Sequence, residues 1–397
     1  MTTKNIRADA AEAIAREFAL DGDVVAARPY GAGHINDTFL VETDDAASSE
    51  RGPTTTTTTT TDRRPRRYVL QRINGDVFRR PDEVMENVVR VCDHARARLI
   101  GKPDADRRAL RLVPTKAWGG RSRGSDQRSS WWFVDDAGGR WRCYHLVPNA
   151  TGHDVVSIPE QARAAARAFG SFQSLLSDMP PGVRLHETIP NFHDTPSRFE
   201  AFRAAVANDV RGRVALAGTE IDFAFDRERD ARVLVDALRD GVIPERIAHN
   251  DAKIGNVLLD DVTHDGLCVV DLDTVMPGTV LYDFGDLVRT STSPAPEDET
   301  DASRVTMRFD VFEALVEGYL ESTRDFLTLA EKSLLPFSGK LITFEIGLRF
   351  LTDYLDGDKY FKVDRPGHNL DRARAQFWLV KSIEEQMSEM QALVDGL

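Results

Sequence analysis

Between Pro159 and Leu176 apolar residues recur at Ala165, Phe169, Phe172 and Leu176, and this spacing predicts an amphipathic helix opened by Pro159. Similar patterning predicts further helices over Phe199–Val214, Ala231–Leu238, Val311–Leu320, Leu335–Leu355 and Asp371–Leu393. Ahead of Pro148 the pattern differs. Short β-prone runs at Val24–Tyr30, Thr38–Glu42, Tyr68–Ile73, Leu112–Trp118, Trp131–Val134 and Arg140–Val147 surround a single helix. That helix starts at Pro81 and carries Val84, Val88, Val91 and Ala95 on one face. Beyond Pro148 only Val257–Leu259 and Leu267–Leu272 read as a β pair. The expected organisation is α+β: a small N-terminal antiparallel sheet with one main helix (residues 1–148), then a large, mainly helical portion (149–397).

Residues 44–67 break the first portion. They run from acidic residues through Pro53 and the threonine tract Thr54–Thr61 to an Arg/Pro stretch, with nothing to bury, and predict a surface loop.

Composition narrows the function. The 397 residues are 41% hydrophobic and 29% charged, as in an ordinary soluble protein, and a net charge of −13 argues against a broad nucleic-acid interface. Cys92, Cys143 and Cys268 are scattered and form no zinc-type pair. A cytoplasmic location is expected from them, from an N-terminus without an apolar run, and from the lack of any ~18-residue apolar stretch. Neither nucleic acid nor membrane is an expected partner.

Two motifs fail. Gly120-Arg121-Ser122-Arg123-Gly124 fits GxSxG but lacks the apolar strand a nucleophile elbow needs. Gly31-Ala32-Gly33-His34-Ile35-Asn36 lacks the third glycine of GxGxxG, and no GxxxxGK[ST] occurs.

One constellation carries chemistry: His249-Asn250-Asp251-Ala252-Lys253-Ile254-Gly255-Asn256, followed by Val269-Val270-Asp271-Leu272-Asp273. Phosphoryl transfer needs a carboxylate to orient and deprotonate the attacking hydroxyl, oxygen ligands for Mg²⁺, and a cation near the transferred group. Asp251 suits the first role. Asn256 and Asp271 suit the second, brought together by a short hairpin, and Lys253 the third. A polar turn would also use Asp and Asn, but it would not need all these groups in register.

The chain resembles the aminoglycoside phosphotransferase branch of the protein-kinase-like fold, and more closely the bacterial N-acetylhexosamine 1-kinases. The resemblance runs through Tyr30–Phe39, Tyr68–Asn74, His249–Asn256, Asp271–Gly278, Asp283–Asp286, Gly347–Asp353 and Gly357–Leu370. It implies a bilobal kinase-like fold, with ATP and Mg²⁺ as cofactors. The expected activity is phosphorylation of the anomeric hydroxyl of GlcNAc or GalNAc to the sugar 1-phosphate. Gly31, Gly33 and Asn36 would belong to the loop over the ATP phosphates, and the backbone at His145–Val147 would bind adenine. Gln71 stands where protein kinases carry a phosphate-binding lysine, and Arg72 points to the other face. Glu83 or Glu86 would be that lysine's helix partner or a surface residue. Asp283 would brace the catalytic loop, and Asp273 would join the metal shell or stand behind it. Another small-alcohol kinase (aminoglycoside, choline or a different sugar) and a nucleotide-binding pseudokinase scaffold are the alternatives.

The acceptor site has its own candidates. Leu335–Leu355 is apolar nearly all round, which marks a buried helix, yet it contains Arg349. Either Arg349 pairs with Glu345 one turn back, or its donors face a cleft and bind sugar oxygens. By the resemblance, Arg349, Tyr360 and His34 would line the sugar pocket.

Overall fold

The computed structural model describes residues 8–31, 35–44, 65–116, 131–180 and 184–397. Gly33, His34, the Thr54–Thr61 tract and the Gly120–Gly124 run lie outside them. Two compact units divide the chain, Met1–Pro148 and Asn149–Leu397.

In the first unit, α1 (Ala8–Ala15) precedes β1 (Val24–Pro29), β2 (Asp37–Thr43) and β3 (Arg66–Ile73). Helix α2 (Pro81–Leu99), β4 (Phe133–Val134) and β5 (Arg140–His145) follow. The strands form one antiparallel sheet in the order β1-β2-β3-β5-β4. Strand alternation sends Phe39, Val41, Tyr68, Leu70, Trp141 and Cys143 into a core with Ala11, Ala15 and Phe18. The run Leu112–Trp118 is not a strand over its described part. Leu112 and Thr115 make only isolated bridges, to Tyr144 and Phe18.

The second unit begins with β6 (Ala150–Gly152), α3 (Pro159–Leu176), α4 (Thr195–Asn208), α5 (Gly218–Phe225) and α6 (Val233–Arg239). Then come β7 (Arg246–Ala248), β8 (Val257–Asp260), β9 (Gly266–Val269), β10 (Met276–Gly278) and α7 (Val280–Ser291). Helices α8 (Phe309–Thr323), α9 (Leu329–Ser333), α10 (Leu335–Asp356) and α11 (His368–Gly396) complete it. The expected hairpin gains β6 as a third strand, and a separate pair joins β7 to β10. Those added strands have three residues each, too few for alternation to reveal. Helices α3 and α8 meet closely: a Cβ on Gly318 would fall 2.2 Å from the Arg163 carbonyl oxygen, so only glycine fits. Among the described residues no helix is long and apolar enough to cross a membrane.

Candidate active site

The segment His249–Asn256 leaves β7 and enters β8 through the single 3₁₀ turn Ile254–Asn256. Asn250 takes a left-handed φ of 64°, which asparagine tolerates better than most residues. Its side-chain amide donates to the carbonyls of Ala248 (3.1 Å) and Thr274 (3.0 Å), pinning the turn to both neighbouring segments. A Cβ at Gly278 would lie 2.7 Å from Asn250 Oδ1, so glycine in β10 is what lets the loop seat.

Asp251 follows. Asn256 Nδ2 donates to its carbonyl oxygen (2.8 Å) and to its Oδ2 (3.0 Å), and Lys253 Nζ lies 3.2 Å from the same Oδ2. Burial works against the Asp251 charge, but the nearby Lys253 ammonium, which also hydrogen-bonds it, leads the groups that hold the carboxyl below its usual range. Lys253 stays charged: burial lowers its pKa, while Asp251 and Asp271 together raise it further. The Asn256 carbonyl accepts the Val270 N–H at 2.9 Å, so the base of the hairpin holds the residue just before Asp271 against Asn256. Asp271 is also left-handed, with φ of 59°. Asp273 is buried, and its backbone carbonyl accepts the Thr188 hydroxyl at 2.8 Å.

The loop is braced from behind. Asp283, fully buried on α7, accepts the His249 N–H at 2.9 Å, the Asn250 N–H at 2.7 Å and the Gln173 amide at 2.6 Å. Burial pushes its carboxyl up, and these donors offset part of that push. His249 Nδ1 accepts the Asp251 N–H at 3.3 Å while Nε2 faces the Val270 carbonyl at 2.9 Å. These partners select the tautomer with its proton on Nε2.

In the first unit, Gly31 takes φ of 77°, and Asn36 Oδ1 accepts the Asn74 N–H at 3.0 Å. Gln71 lies directly across the β3–β5 ladder from Arg142, and its Oε1 accepts from Arg142 Nε (3.0 Å) and Nη2 (2.9 Å). A fully buried guanidinium from the neighbouring strand thus adjoins Gln71. Arg72 is held by Asp37. Glu83 and Glu86 pair with Arg80 and Arg90 of their own segment. Burial and the nearby Arg111 charge lower the His145 ring to about 4. His145 and Leu146 give their N–H groups to Arg111 and Arg67, which leaves Val147 as the trio's candidate backbone donor.

Residues 26–315 match the family model for the phosphotransferase enzyme family, APH. The chain belongs to this family. Its fold is that of aminoglycoside phosphotransferase from Alicyclobacillus acidocaldarius, with a TM-score of 0.60 at 13% identity over 100% of this chain and 98% of that one. A microcompartment-associated aminopropanol kinase gives a TM-score of 0.57 at 14% identity, covering 96% and 98%. Amicoumacin kinase hAmiN, solved with AMP-PNP and Ca²⁺, gives 0.51 at 14%, covering 94% and 91%.

A phosphotransferase of this family must also hold an acceptor, and the neighbourhood of Arg349 is distinctive. Glu345 is not its hydrogen-bond partner. The Glu345 oxygens take His193 Nδ1 (2.9 Å) and the Thr195 hydroxyl (2.5 Å) instead. The Arg349 guanidinium carbon lies 5.6 Å from the Phe192 ring, 5.7 Å from Tyr360 and 5.6 Å from Phe361. A second guanidinium, Arg198, stands close by. Burial, then the Arg349 charge, lowers its pKa, and its Nη2 donates to the Asn191 and Phe192 carbonyls. The loop bearing Tyr360 and Phe361 is stapled by Asp353, whose carboxylate accepts the N–H groups of Lys359, Tyr360 and Phe361 at 2.8–2.9 Å. His193, Arg198, Gln173 and Asp353 carry no role in the sequence reading. The signal nearest to hand was Asn191-Phe192-His193-Asp194, a polar-aromatic cluster just ahead of a Pro-opened helix.

Proposed function

We propose that this phosphotransferase moves the γ-phosphoryl group of ATP to a hydroxyl of a neutral, oxygen-rich acceptor, the anomeric hydroxyl of an N-acetylhexosamine. The observation that supports the reading is the Arg349 guanidinium, ringed by Phe192, Tyr360 and Phe361 and doubled by Arg198. Two guanidiniums repel a cationic amino alcohol, whereas sugar oxygens accept their N–H bonds and an aromatic face packs on the pyranose ring. The choice of the anomeric position rests on the family-specific segments of the sequence.

In this reading Asp251 orients the acceptor hydroxyl and takes its proton, and Lys253 stabilises charge on the transferred group. Gly31, Asn36, Gln71 and the His145–Val147 backbone are nucleotide ligands by resemblance. Asn256 and Asp271 fit a hard divalent cation. The Asn256 amide nitrogen is committed to Asp251, which directs its carbonyl oxygen away, and Asp271 adds a carboxylate at the adjoining position. Among the described residues no three His, Cys, Asp or Glu side chains form a metal site by themselves. The cation would take its remaining oxygens from phosphate and water, as Mg²⁺ commonly does. Held by Asn256 and Asp271, such a cation would neutralise charge on the phosphates. Asp271→Ala and Asn256→Ala are each expected to raise the Mg²⁺ concentration for half-maximal activity by about ten-fold or more, the scale seen when even an outer partner of a metal ligand is lost. Unchanged Mg²⁺ titrations in both variants would refute the pairing.

The decisive experiment is ADP release across a panel of sugars and amino alcohols. N-acetylhexosamines are expected to lead, and Arg349→Ala to lower kcat/KM for the sugar by about ten-fold or more, the loss of a charged hydrogen bond, with the KM for ATP unchanged. Preference for choline or an aminoglycoside would overturn the sugar reading. ATP binding without turnover on any acceptor would mark a pseudokinase.

A further inference from the structure

Behind the Arg349 cage lies a buried polar group that the proposed chemistry leaves unused. His193 Nδ1 is 2.9 Å from Glu345 Oε1, and its Nε2 is 2.9 Å from the backbone carbonyl of Asn250. His193 and Glu345 are both buried, and the other Glu345 oxygen takes the Thr195 hydroxyl. A backbone carbonyl can only accept, and so can an ionised carboxylate; a neutral imidazole has a single N–H to give. Both contacts are satisfied together when both ring nitrogens carry protons.

We infer that His193 and Glu345 form a buried imidazolium–carboxylate pair that positions the catalytic loop by gripping the carbonyl of the Asn250–Asp251 peptide. His249 Nδ1 holds the N–H of that same peptide, so both of its polar atoms are fixed immediately before the Asp251 side chain. Asp283 fixes the two preceding N–H groups. The strained φ of Asn250 is thereby held from both directions. His193 touches no reacting atom and acts through the loop.

The surroundings agree. Glu345 faces His193 from α10, and Tyr282 from α7 packs its ring at 4.7 Å. Asp286 on α7 adds a more distant negative charge, and Arg349 acts on Glu345. Phe192 flanks the ring at 4.8 Å, and Asp194 follows His193 in the chain. Burial lowers the His193 pKa, but Glu345 and the Asn250 carbonyl carry it above the ordinary imidazole value. Glu345 is displaced the other way: burial raises its pKa, and His193 lowers it further. The charged pair therefore persists to higher pH than an ordinary imidazole would allow, and it loses its proton as pH rises through the His193 value.

The inference rests on Asp251 as the base, and the tests separate the two. Glu345→Gln keeps the side chain's shape but removes the anion, so His193 becomes neutral at a lower pH. With N-acetylglucosamine as acceptor, kcat is expected to fall about 10- to 100-fold at neutral pH, with both KM values within two-fold of wild type. The alkaline fall of kcat should move to lower pH, so the variant regains activity on acidification. His193→Gln should be slow at every pH and show no such recovery. A folded Glu345→Gln enzyme with the wild-type rate and pH profile would overturn the clamp. An Asp251→Asn enzyme that still turns over would overturn the base assignment instead. One measurement needs neither an acceptor nor a folded variant: ¹⁵N-histidine NMR of the full-length wild-type chain at pH 7. The expected result is an imidazole protonated at both nitrogens whose two N–H protons show contacts to Glu345 and Asn250. A single neutral tautomer at that position would overturn the inference.

Discussion

Replacing Asp251 by Asn is expected to lower kcat by about 10²–10⁴-fold, the range attributed to a positioned general base, while nucleotide affinity stays near wild type. The change is nearly isosteric, and the Asn256 amide can keep its bond to the residue 251 carbonyl, which the substitution does not touch. What disappears is the anion. Lys253, held at 3.2 Å in the native chain, loses its partner, and the acceptor hydroxyl loses the atom that takes its proton. Because the native carboxyl is held below its usual range, Asp251 is ionised throughout the neutral region. Its acid limb in kcat should accordingly fall below about pH 4, the ordinary aspartate value. Rapid-quench turnover together with ATP titration checks both halves. Retention of more than a tenth of the wild-type kcat would remove Asp251 from the role.

Much of this site could be read from sequence because its parts are local. Asp251, Lys253, Asn256 and Asp271 sit along one loop and one hairpin, and a short turn fixes their relation with little help from the remaining chain. What supports them is remote. His193 reaches Asn250 across 57 positions, and Gln173 reaches Asp283 across 110. No periodicity announces such a partner. Glu345 shows the cost of local reasoning: one helical turn from Arg349 it looks like an ion-pair partner, but its oxygens are spent on His193 and Thr195. Gln71 looked like a bare departure from the kinase pattern until the strand register set Arg142 opposite it. Helix α7 escaped for a different reason. Its apolar residues Val280, Leu281, Phe284, Leu287 and Val288 do recur at helical spacing, but Asp283-Phe284-Gly285-Asp286 reads first as a polar motif, and its carboxyls Asp283 and Asp286 are buried as well.

Asp283→Asn is the variant expected to damage stability and activity together. The native carboxylate offers only lone pairs, and donors approach both oxygens: Asn250 N–H on Oδ1, His249 N–H and the Gln173 amide on Oδ2. An asparagine turns one oxygen into an NH₂ group. Whichever way it is flipped, that group meets a buried N–H head-on, and the site is fully enclosed, so no solvent can relieve the clash. Gln173 cannot simply turn its own amide to compensate, because its Oε1 accepts the Tyr319 hydroxyl. A buried donor left without an acceptor costs about 1–3 kcal/mol. For a unit of this size that lowers Tm by roughly 3–10 °C. The catalytic consequence should remain below the melting transition, because whichever N–H is freed, that of His249 or that of Asn250, belongs to the loop that carries Asp251. Calorimetry and turnover, both recorded well below Tm, separate the two effects. A lowered Tm with wild-type kcat would make Asp283 a fold residue alone, and an unchanged Tm would mean that the three donors find other acceptors.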